Sequence, residues 1–220
     1  MMEEALLLSL KLSVLTTLIL LVISMALGYV LSFVSFPGKG LLEALVLLPI
    51  VLPPTVLGFY IIYALSRESP LGEFIEALTG RSLLFSFEGI LLASVIYSLP
   101  FGVFPVRDAF QSVHRRYIEI AHVFGYSAVE TFFRVVLPLS WGGILTSCAL
   151  VFAHTMGEFG VILMVGGNIP GETQTLSIYI YDEVQALNYE EAHRASLTLL
   201  LVSLISLSVV FFLRRRWTGR

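Results

Sequence analysis

Residues 12–33 read LSVLTTLILLVISMALGYVLSF, a run that contains no charged side chain. A bilayer-spanning helix needs about 20 consecutive apolar residues, so this run is long enough to cross a membrane. The whole chain shares the bias, because 57% of its 220 residues are apolar and 13% are charged. Soluble domains are about 45–50% apolar and about 25% charged. The composition therefore predicts an all-α, polytopic transmembrane helix bundle.

The apolar runs predict five spans within a single domain, residues 1–220. The spans are Leu12–Phe33, Leu41–Leu65, Gly89–Val106, Leu139–Met156 and Ala195–Leu213. Prolines interrupt the second span, which a helix tolerates where neighbouring protein satisfies the freed carbonyls. The stretch Phe159–Val184 is broken by GGNIPGET, so a sixth crossing or a re-entrant helix stays open. The first run is interpreted as a retained span, because Glu3 and Glu4 stand where a signal peptide is positively charged.

Lysine and arginine residues are distributed unevenly over the predicted loops. If the N-terminus is outside, the cytoplasmic side holds Lys39, Arg107, Arg115, Arg116, Arg134, Arg214, Arg215, Arg216 and Arg220. The outer side then holds only Lys11, Arg67, Arg81 and Arg194. Basic residues collect in cytoplasmic loops. The pattern predicts an outer N-terminus, a cytoplasmic C-terminus anchored by RRRWTGR, and a cytoplasmic segment at residues 107–138, called here the polar segment.

Within the polar segment, apolar residues recur at steps of three and four, which is typical of amphipathic helices. Gly125 interrupts this pattern, so two short helices that meet at the glycine are expected. Three uses remain open on this pattern alone. The helices pack on the chain's own bundle, they lie in the lipid headgroups, or they dock on a soluble partner.

The spacing of residues in the polar segment resembles the cytoplasmic signature of the permeases of ABC importers. That signature is Glu-Ala-Ala, three residues, Gly, nine residues, Ile-x-Leu-Pro. Glu119, Gly125, Leu137 and Pro138 stand at the matching positions. Ile120 and Val135 replace an alanine and an isoleucine of the signature. The resemblance implies coupling helices that insert into a groove of a separate ATPase subunit.

The resemblance implies roles for individual residues of the polar segment. Phe124, Phe132 and Phe133 are expected to bury in the partner, in the manner of a helix in a groove, and to look exposed in the permease alone. Glu119 and Arg134 are expected to fix the register at the rim. The full set of ATPase-coupling residues is Glu119, Ala121, Phe124, Gly125, Phe132, Phe133, Arg134, Leu137 and Pro138.

Further motifs make the chain similar to the molybdate-type branch of these permeases. They are FPGKG (36–40), LPIVLPPTVLGF (48–59) and GEFGVILMVGGNIPGETQT (157–175). The likeness implies a homodimer, two cytoplasmic ATPase subunits that bind ATP and Mg²⁺, an external oxyanion-binding protein, and no cofactor or enzymatic activity in this chain. Molybdate is the expected substrate, tungstate a second one, and sulfate or thiosulfate the alternative. An ion-coupled secondary transporter is a remote alternative, and no feature suggests nucleic-acid binding.

The predicted spans contain hydroxyl groups but no set of basic residues that could hold an oxyanion. The candidate pathway or gate residues are Thr55, Ser94, Ser98, Thr146, Ser147, His154 and Glu158. The alternative for each hydroxyl is a bond to a carbonyl of its own helix.

His154 and Glu158 are expected at a wet outer boundary, although they are spaced to pair if buried. The loop residues Asn168, Pro170, Gly171 and Glu172 are expected to face the binding protein. Cys148 is interpreted as a small buried residue, and no metal site is expected.

Overall fold

The computed structural model describes the backbone of residues 1–218 and the side chains of residues 1–214, and this part of the chain contains helices but no strands. The helices are α1 (Met2–Phe33), α2 (Lys39–Val51), α3 (Pro54–Leu65), α4 (Pro70–Thr79), α5 (Phe87–Gln111), α6 (Arg115–Val123), α7 (Ala128–Thr131), a π-helical turn (Phe132–Val136), α8 (Leu137–Leu139), α9 (Trp141–Gly157), α10 (Gly160–Gly166), α11 (Leu176–Gln185) and α12 (Tyr189–Thr218). The all-α prediction is confirmed. The side chains of Arg215, Arg216 and Arg220, part of the predicted C-terminal anchor, lie outside the described residues.

Three of the described helices, α1, α5 and α12, are long and apolar enough to cross a membrane. Two bent pairs, α2 with α3 and the α7–α8 stretch with α9, bring the number to five if each pair is one span. The five-span prediction agrees with this upper count. Helices α10 and α11, which occupy the stretch where a sixth crossing stayed open, have only 7 and 10 residues.

The second predicted span is broken into α2 and α3, which meet at an angle of 111°. Leu52 and Pro53 form the break, and both have extended backbone, with ψ values of 141° and 138°. A residue that precedes proline is driven out of the helical region by the proline ring. Since each of these two residues is followed by a proline, the sequence itself imposes the break.

Helix α5 passes through Pro100 and Pro105 and ends at Gln111. The helix therefore continues past Val106, the predicted end of the third span, and includes the first residues of the polar segment. Proline lacks only one donor and can be accommodated in a packed helix when neighbouring groups satisfy the freed carbonyl. Here the Ser147 hydroxyl of α9 donates to the carbonyl of Gly102 at 2.8 Å.

Helices α1, α5 and α9 form the centre of the bundle, where small residues allow close approach. A Cβ atom at Gly28 of α1 would lie 2.8 Å from Val106 of α5. A Cβ atom at Gly143 of α9 would collide with Ala109 of α5. Such small-residue contacts are the usual means by which helices associate in membranes, where burial of apolar surface gives no driving force.

Candidate functional site

Beyond the end of α5, the polar segment continues with helix α6, which ends in a Schellman motif. Gly125 has a φ of +81°, a left-handed conformation that favours glycine. The N–H of Tyr126 donates to Ala121 at 3.0 Å, and the N–H of Gly125 donates to His122 at 2.9 Å. These two bonds are those of the motif. The expected pair of short helices that meet at Gly125 is present.

A capping box starts helix α7. The Ser127 hydroxyl accepts from the N–H of Glu130, and the Glu130 carboxylate accepts from the N–H of Ser127. A π-helical turn follows, in which the N–H of Leu137 donates to Phe132 five residues back. Pro138 comes directly after this turn, and its ring, which would crowd the preceding turn of a regular α-helix, accounts for the wider spacing. The chain then bends by 68° into α9.

Large apolar side chains on the polar segment lie open to the surroundings. Val123 is 86% exposed, Phe124 is 76% exposed and Phe133 is 60% exposed. Phe132 is half-buried rather than exposed, because it packs against Tyr29 and Phe110 at ring-centroid distances of 5.3 and 5.6 Å. Phe132 thus anchors the segment to the bundle, whereas Phe133 contacts the Phe132 ring at 5.2 Å and stays largely exposed.

The remaining candidate coupling residues fall into buried and exposed groups. Ala121 is buried, Leu137 is half-buried, and Pro138 is exposed. The Glu119 carboxylate pairs with Arg115 at 3.2 Å, and the Arg134 guanidinium lies over the Tyr126 ring at 5.1 Å. Both charged groups are exposed, and exposed pairs of this kind contribute little stability. They remain accessible to a partner.

Polar side chains hold α5 and α9 together along an antiparallel seam. Near the polar segment, the Ser140 hydroxyl donates to the carbonyl of Ala109 at 3.2 Å. Further along, Ser147 bonds Gly102, and beyond that Ser98 lies 2.9 Å from Nδ1 of His154. The seam therefore joins the polar segment to the opposite end of the bundle.

His154 is held in a fixed orientation by residues on α5. The Ser98 Oγ that contacts Nδ1 also lies 3.1 Å from the Thr155 hydroxyl. The imidazole stacks on Phe101 at 4.2 Å and tilts against Tyr97 at 4.8 Å. With Nδ1 occupied by Ser98, the ring's other nitrogen is left to interact with groups beyond this cluster.

Glu158, which follows α9, is only 4% exposed, so the expectation that it lies in water is wrong. The Ser94 hydroxyl of α5 is buried as well. Neither group has a hydrogen-bond partner in the described part of the chain. Glu158 therefore does not pair with His154 either. Helix α9 does end at Gly157, where the sequence suggested a boundary, but the residue that follows it is buried.

The other candidate pathway residues have different environments. Thr55 is exposed, and Ser147 is used in the seam. The Thr146 hydroxyl donates to Gly142 of its own helix at 2.9 Å, which is the alternative foreseen for it. Cys148 is half-buried rather than fully buried.

The loop that follows α10 is exposed but internally braced. Asn168, Pro170, Gly171 and Glu172 are all exposed. The Asn168 side chain donates to Asp182 at 2.6 Å, and the Gln174 side chain donates to Asn168 at 2.9 Å. These bonds tie the loop to α11, so a defined surface is presented at this end of the bundle.

Several residues of these sites were not foreseen from the sequence. The capping residues Ser127 and Glu130 could have been predicted from the sequence, since Ser-x-x-Glu before an apolar run marks a helix start. No sequence pattern predicts that Tyr97 and Phe101 contact His154, because this contact depends on how α5 packs against α9. Among the described residues no group of three or more histidine, cysteine, aspartate or glutamate side chains is arranged to hold a metal ion.

Residues 21–219 match the family described as binding-protein-dependent transport system inner membrane component. The chain belongs to this family. It is accordingly a multi-pass inner-membrane protein and a permease subunit of an ABC importer, which is not itself an enzyme. This assignment replaces the alternative of an ion-coupled secondary transporter.

Comparison with individual proteins indicates which permeases the chain resembles. The chain is 42% identical to the molybdenum transport system permease protein ModB of Azotobacter vinelandii, over 96% of this chain and 94% of that protein. It is 32% identical to the probable sulfate transport system permease protein cysT of Zygnema circumcarinatum, over 97% of this chain and 76% of that protein. Its fold is similar to a chain of a bacterial alginate ABC transporter crystallised with an alginate-bound periplasmic protein, with a TM-score of 0.79 and 18% identity over 97% of this chain and 78% of that chain.

Proposed function

We propose that this chain is the permease subunit of a molybdate importer that also accepts tungstate. The observation that carries the proposal is the 42% identity to a molybdenum permease, which extends over nearly the full length of both chains. Sulfate or thiosulfate is the second candidate, because a relative named as a probable sulfate permease is 32% identical over a similar share of the chain. Molybdate, tungstate and sulfate are all tetrahedral dianions, so the pathway must accept the same shape in each case.

The polar segment is proposed to be the docking element for two cytoplasmic ATPase subunits, which bind ATP and Mg²⁺. Its exposed Val123, Phe124 and Phe133 support this role. An isolated soluble surface does not gain from displaying aromatic rings, whereas apolar anchors carry much of the energy of an interface. Glu119 and Arg134 are then available at the rim to set the register.

A second copy of the chain is proposed to complete the translocation pathway, with the N-terminus outside and the C-terminus in the cytoplasm. In this orientation the braced loop with Asn168, Pro170, Gly171 and Glu172 faces the external oxyanion-binding protein. The asymmetry of lysine and arginine residues supports the orientation. The rigidity of the loop suits docking, since a preorganised surface loses less entropy on binding.

His154 is proposed to be a pathway residue, because an ionisable side chain at membrane depth is a functional candidate by default. If Ser98 donates to Nδ1, the neutral imidazole carries its proton on the other nitrogen and offers it as a donor. A neutral donor would bind a dianion weakly and release it fast, which suits a pathway supplied by a tight external binding protein.

The substrate is tested by uptake assays in cells that contain this permease with its ATPase and binding protein. ATP-dependent uptake of molybdate, with competition by tungstate at similar concentrations and little competition by sulfate, is the expected result. Strong sulfate uptake without molybdate uptake would replace the proposal by its alternative. An ATPase subunit with an inactive nucleotide site serves as the control for energised transport.

A further inference from the structure

The bend between α2 and α3 lies beside the middle of a long apolar helix. On one side of the bend, Val46 of α2 belongs to the same core cluster as Val103 of α5. On the other side, Leu57 of α3 belongs to the same core cluster as Ala93 of α5. Both α5 residues lie more than one helical turn inside the ends of that helix, Phe87–Gln111. Because α5 is long and apolar enough to cross a membrane, the bend lies at membrane depth.

The backbone at this bend lacks hydrogen-bond donors. A proline has no N–H group, so positions 53 and 54 offer no donor to the carbonyls of Pro49 and Ile50. The backbone hydrogen bonds that the described chain makes around the bend reach the carbonyls of Leu48 and Pro53 instead. In the hydrocarbon region, irregular backbone is tolerated only where protein covers it or where it lines a water-filled cavity. Lipid is therefore not a suitable neighbour for the bend.

One side of the bend is open, and we call it the elbow surface. It consists of Val51, Pro53, Thr55, Phe59 and Tyr63, all of which are exposed. The last three follow one another at steps of four, which places them on one face of α3. The rings of Phe59 and Tyr63 are 55% and 67% exposed and stack at a centroid distance of 6.3 Å. The chain itself thus leaves the bend and an aromatic stripe beside it uncovered.

The chemistry of the elbow surface favours protein over water as its neighbour. Thr55 contributes one hydroxyl group, and no residue of the surface carries a charge. Large apolar side chains gain free energy when they leave water. The cores of protein interfaces are likewise enriched in aromatic residues and depleted of charged ones. The elbow surface therefore fits a protein surface that is also uncharged and rich in aromatic side chains.

We propose that the elbow surface packs against the elbow surface of a second copy of this chain. The inference rests on the proposed homodimer and specifies which face forms it. In a two-fold dimer the same patch of both copies meets itself, and a patch without charge can do so without repulsion between like charges. The contact shields the free carbonyls at the bend from lipid and brings the two copies of Thr55 close to the two-fold axis.

Cysteine cross-linking tests the contact. Thr55→Cys is made in a Cys148→Ser background, which removes the native cysteine. The purified full-length permease, assembled with a cysteine-free ATPase in lipid nanodiscs, is treated with a bis-maleimide. Leu204→Cys is the matched control, because Leu204 is 56% exposed in the middle of α12. Thr55→Cys is expected to give roughly tenfold more cross-linked dimer than the control, since groups held together react at a high effective concentration.

The number of permease copies per nanodisc, measured by mass photometry, separates two failures. A homodimer in which Thr55→Cys cross-links no better than Leu204→Cys would overturn the elbow contact and leave the proposed homodimer intact. In that case, reaction with a water-soluble maleimide would identify water at the elbow surface, and reaction with a lipid-soluble maleimide alone would identify lipid. A single copy per nanodisc would overturn both proposals. If Thr55→Cys fails to assemble, Phe59→Cys, one turn along the same face, decides between the same outcomes.

Discussion

The polar segment and the α5–α9 seam depart from the usual distribution of side chains in opposite ways. The polar segment turns Phe124 and Phe133 outward, although large apolar side chains are normally covered. The seam buries Ser98, Ser147 and Glu158, although polar side chains normally face water. One region leaves large apolar rings uncovered, and the other satisfies most of its polar groups within the described chain.

The difference indicates how motion at one end of the permease can reach the other. Exposed rings make the polar segment suited to being held by another protein. Directional hydrogen bonds make the seam suited to keeping α5 and α9 in register. Because the polar segment is the connection between these two helices, a partner that moves it moves both helices together.

Removal of the Phe132 ring is expected to have the largest effect, because this ring joins the polar segment to the bundle. Phe132→Ala should lower the free energy of unfolding by about 3 kcal/mol, the low end of the range for phenylalanine, because the ring is half-buried. Chemical denaturation of the purified permease measures this loss of unfolding free energy. Phe133→Ala is the matched control and should change stability little; equal losses in the two variants would contradict the division between anchor and exposed ring.

A charge at Phe124 is expected to weaken ATPase association roughly 100-fold, the usual effect of losing an interface anchor. Stability should be unchanged, because the ring has no contacts to lose within the bundle. Co-purification and stimulation of ATP hydrolysis measure the effect of Phe124→Asp. Phe74→Asp, at a similarly exposed ring in α4, should bind the ATPase normally; an equal loss there would point to general damage.

Loss of the His154 imidazole should slow substrate uptake by about tenfold, the equivalent of one hydrogen bond to the substrate. ATPase association should stay intact, since His154 lies far from the polar segment along α9. Uptake by His154→Ala is compared with uptake by Thr146→Val, whose native hydroxyl bonds its own helix. Normal uptake by His154→Ala would remove this residue from the pathway.

The smallest effect is expected at Ser147, whose hydroxyl joins α9 to α5. Ser147→Ala should cost about 1 kcal/mol of stability, because one interhelical hydrogen bond is lost. Thermal unfolding in nanodiscs measures this change against Thr146→Val, which should lie within about 0.5 kcal/mol of wild type. A Ser147→Ala variant as stable as wild type would show that packing alone holds the seam.

The sequence predicted those features that depend on local chemistry. Consecutive prolines at 53 and 54 mark the break between α2 and α3, and Gly125 marks the junction in the polar segment. The burial of Glu158 and the inward turn of Phe132 were not predicted. Both depend on how distant segments pack, as the contact of Phe132 with Tyr29 of α1 shows. The hydrophobic periodicity of a single stretch of chain cannot predict such contacts.

Accessibility at position 124 tests the coupling role of the polar segment most directly. A single cysteine is introduced by Phe124→Cys in a Cys148→Ser background, and inside-out vesicles are treated with a membrane-impermeant maleimide. Fast labelling in vesicles without the ATPase, and protection when the ATPase subunit is added, is the result expected for a cytoplasmic docking element. Labelling that is unchanged by the ATPase, or that occurs only in right-side-out vesicles, would contradict it.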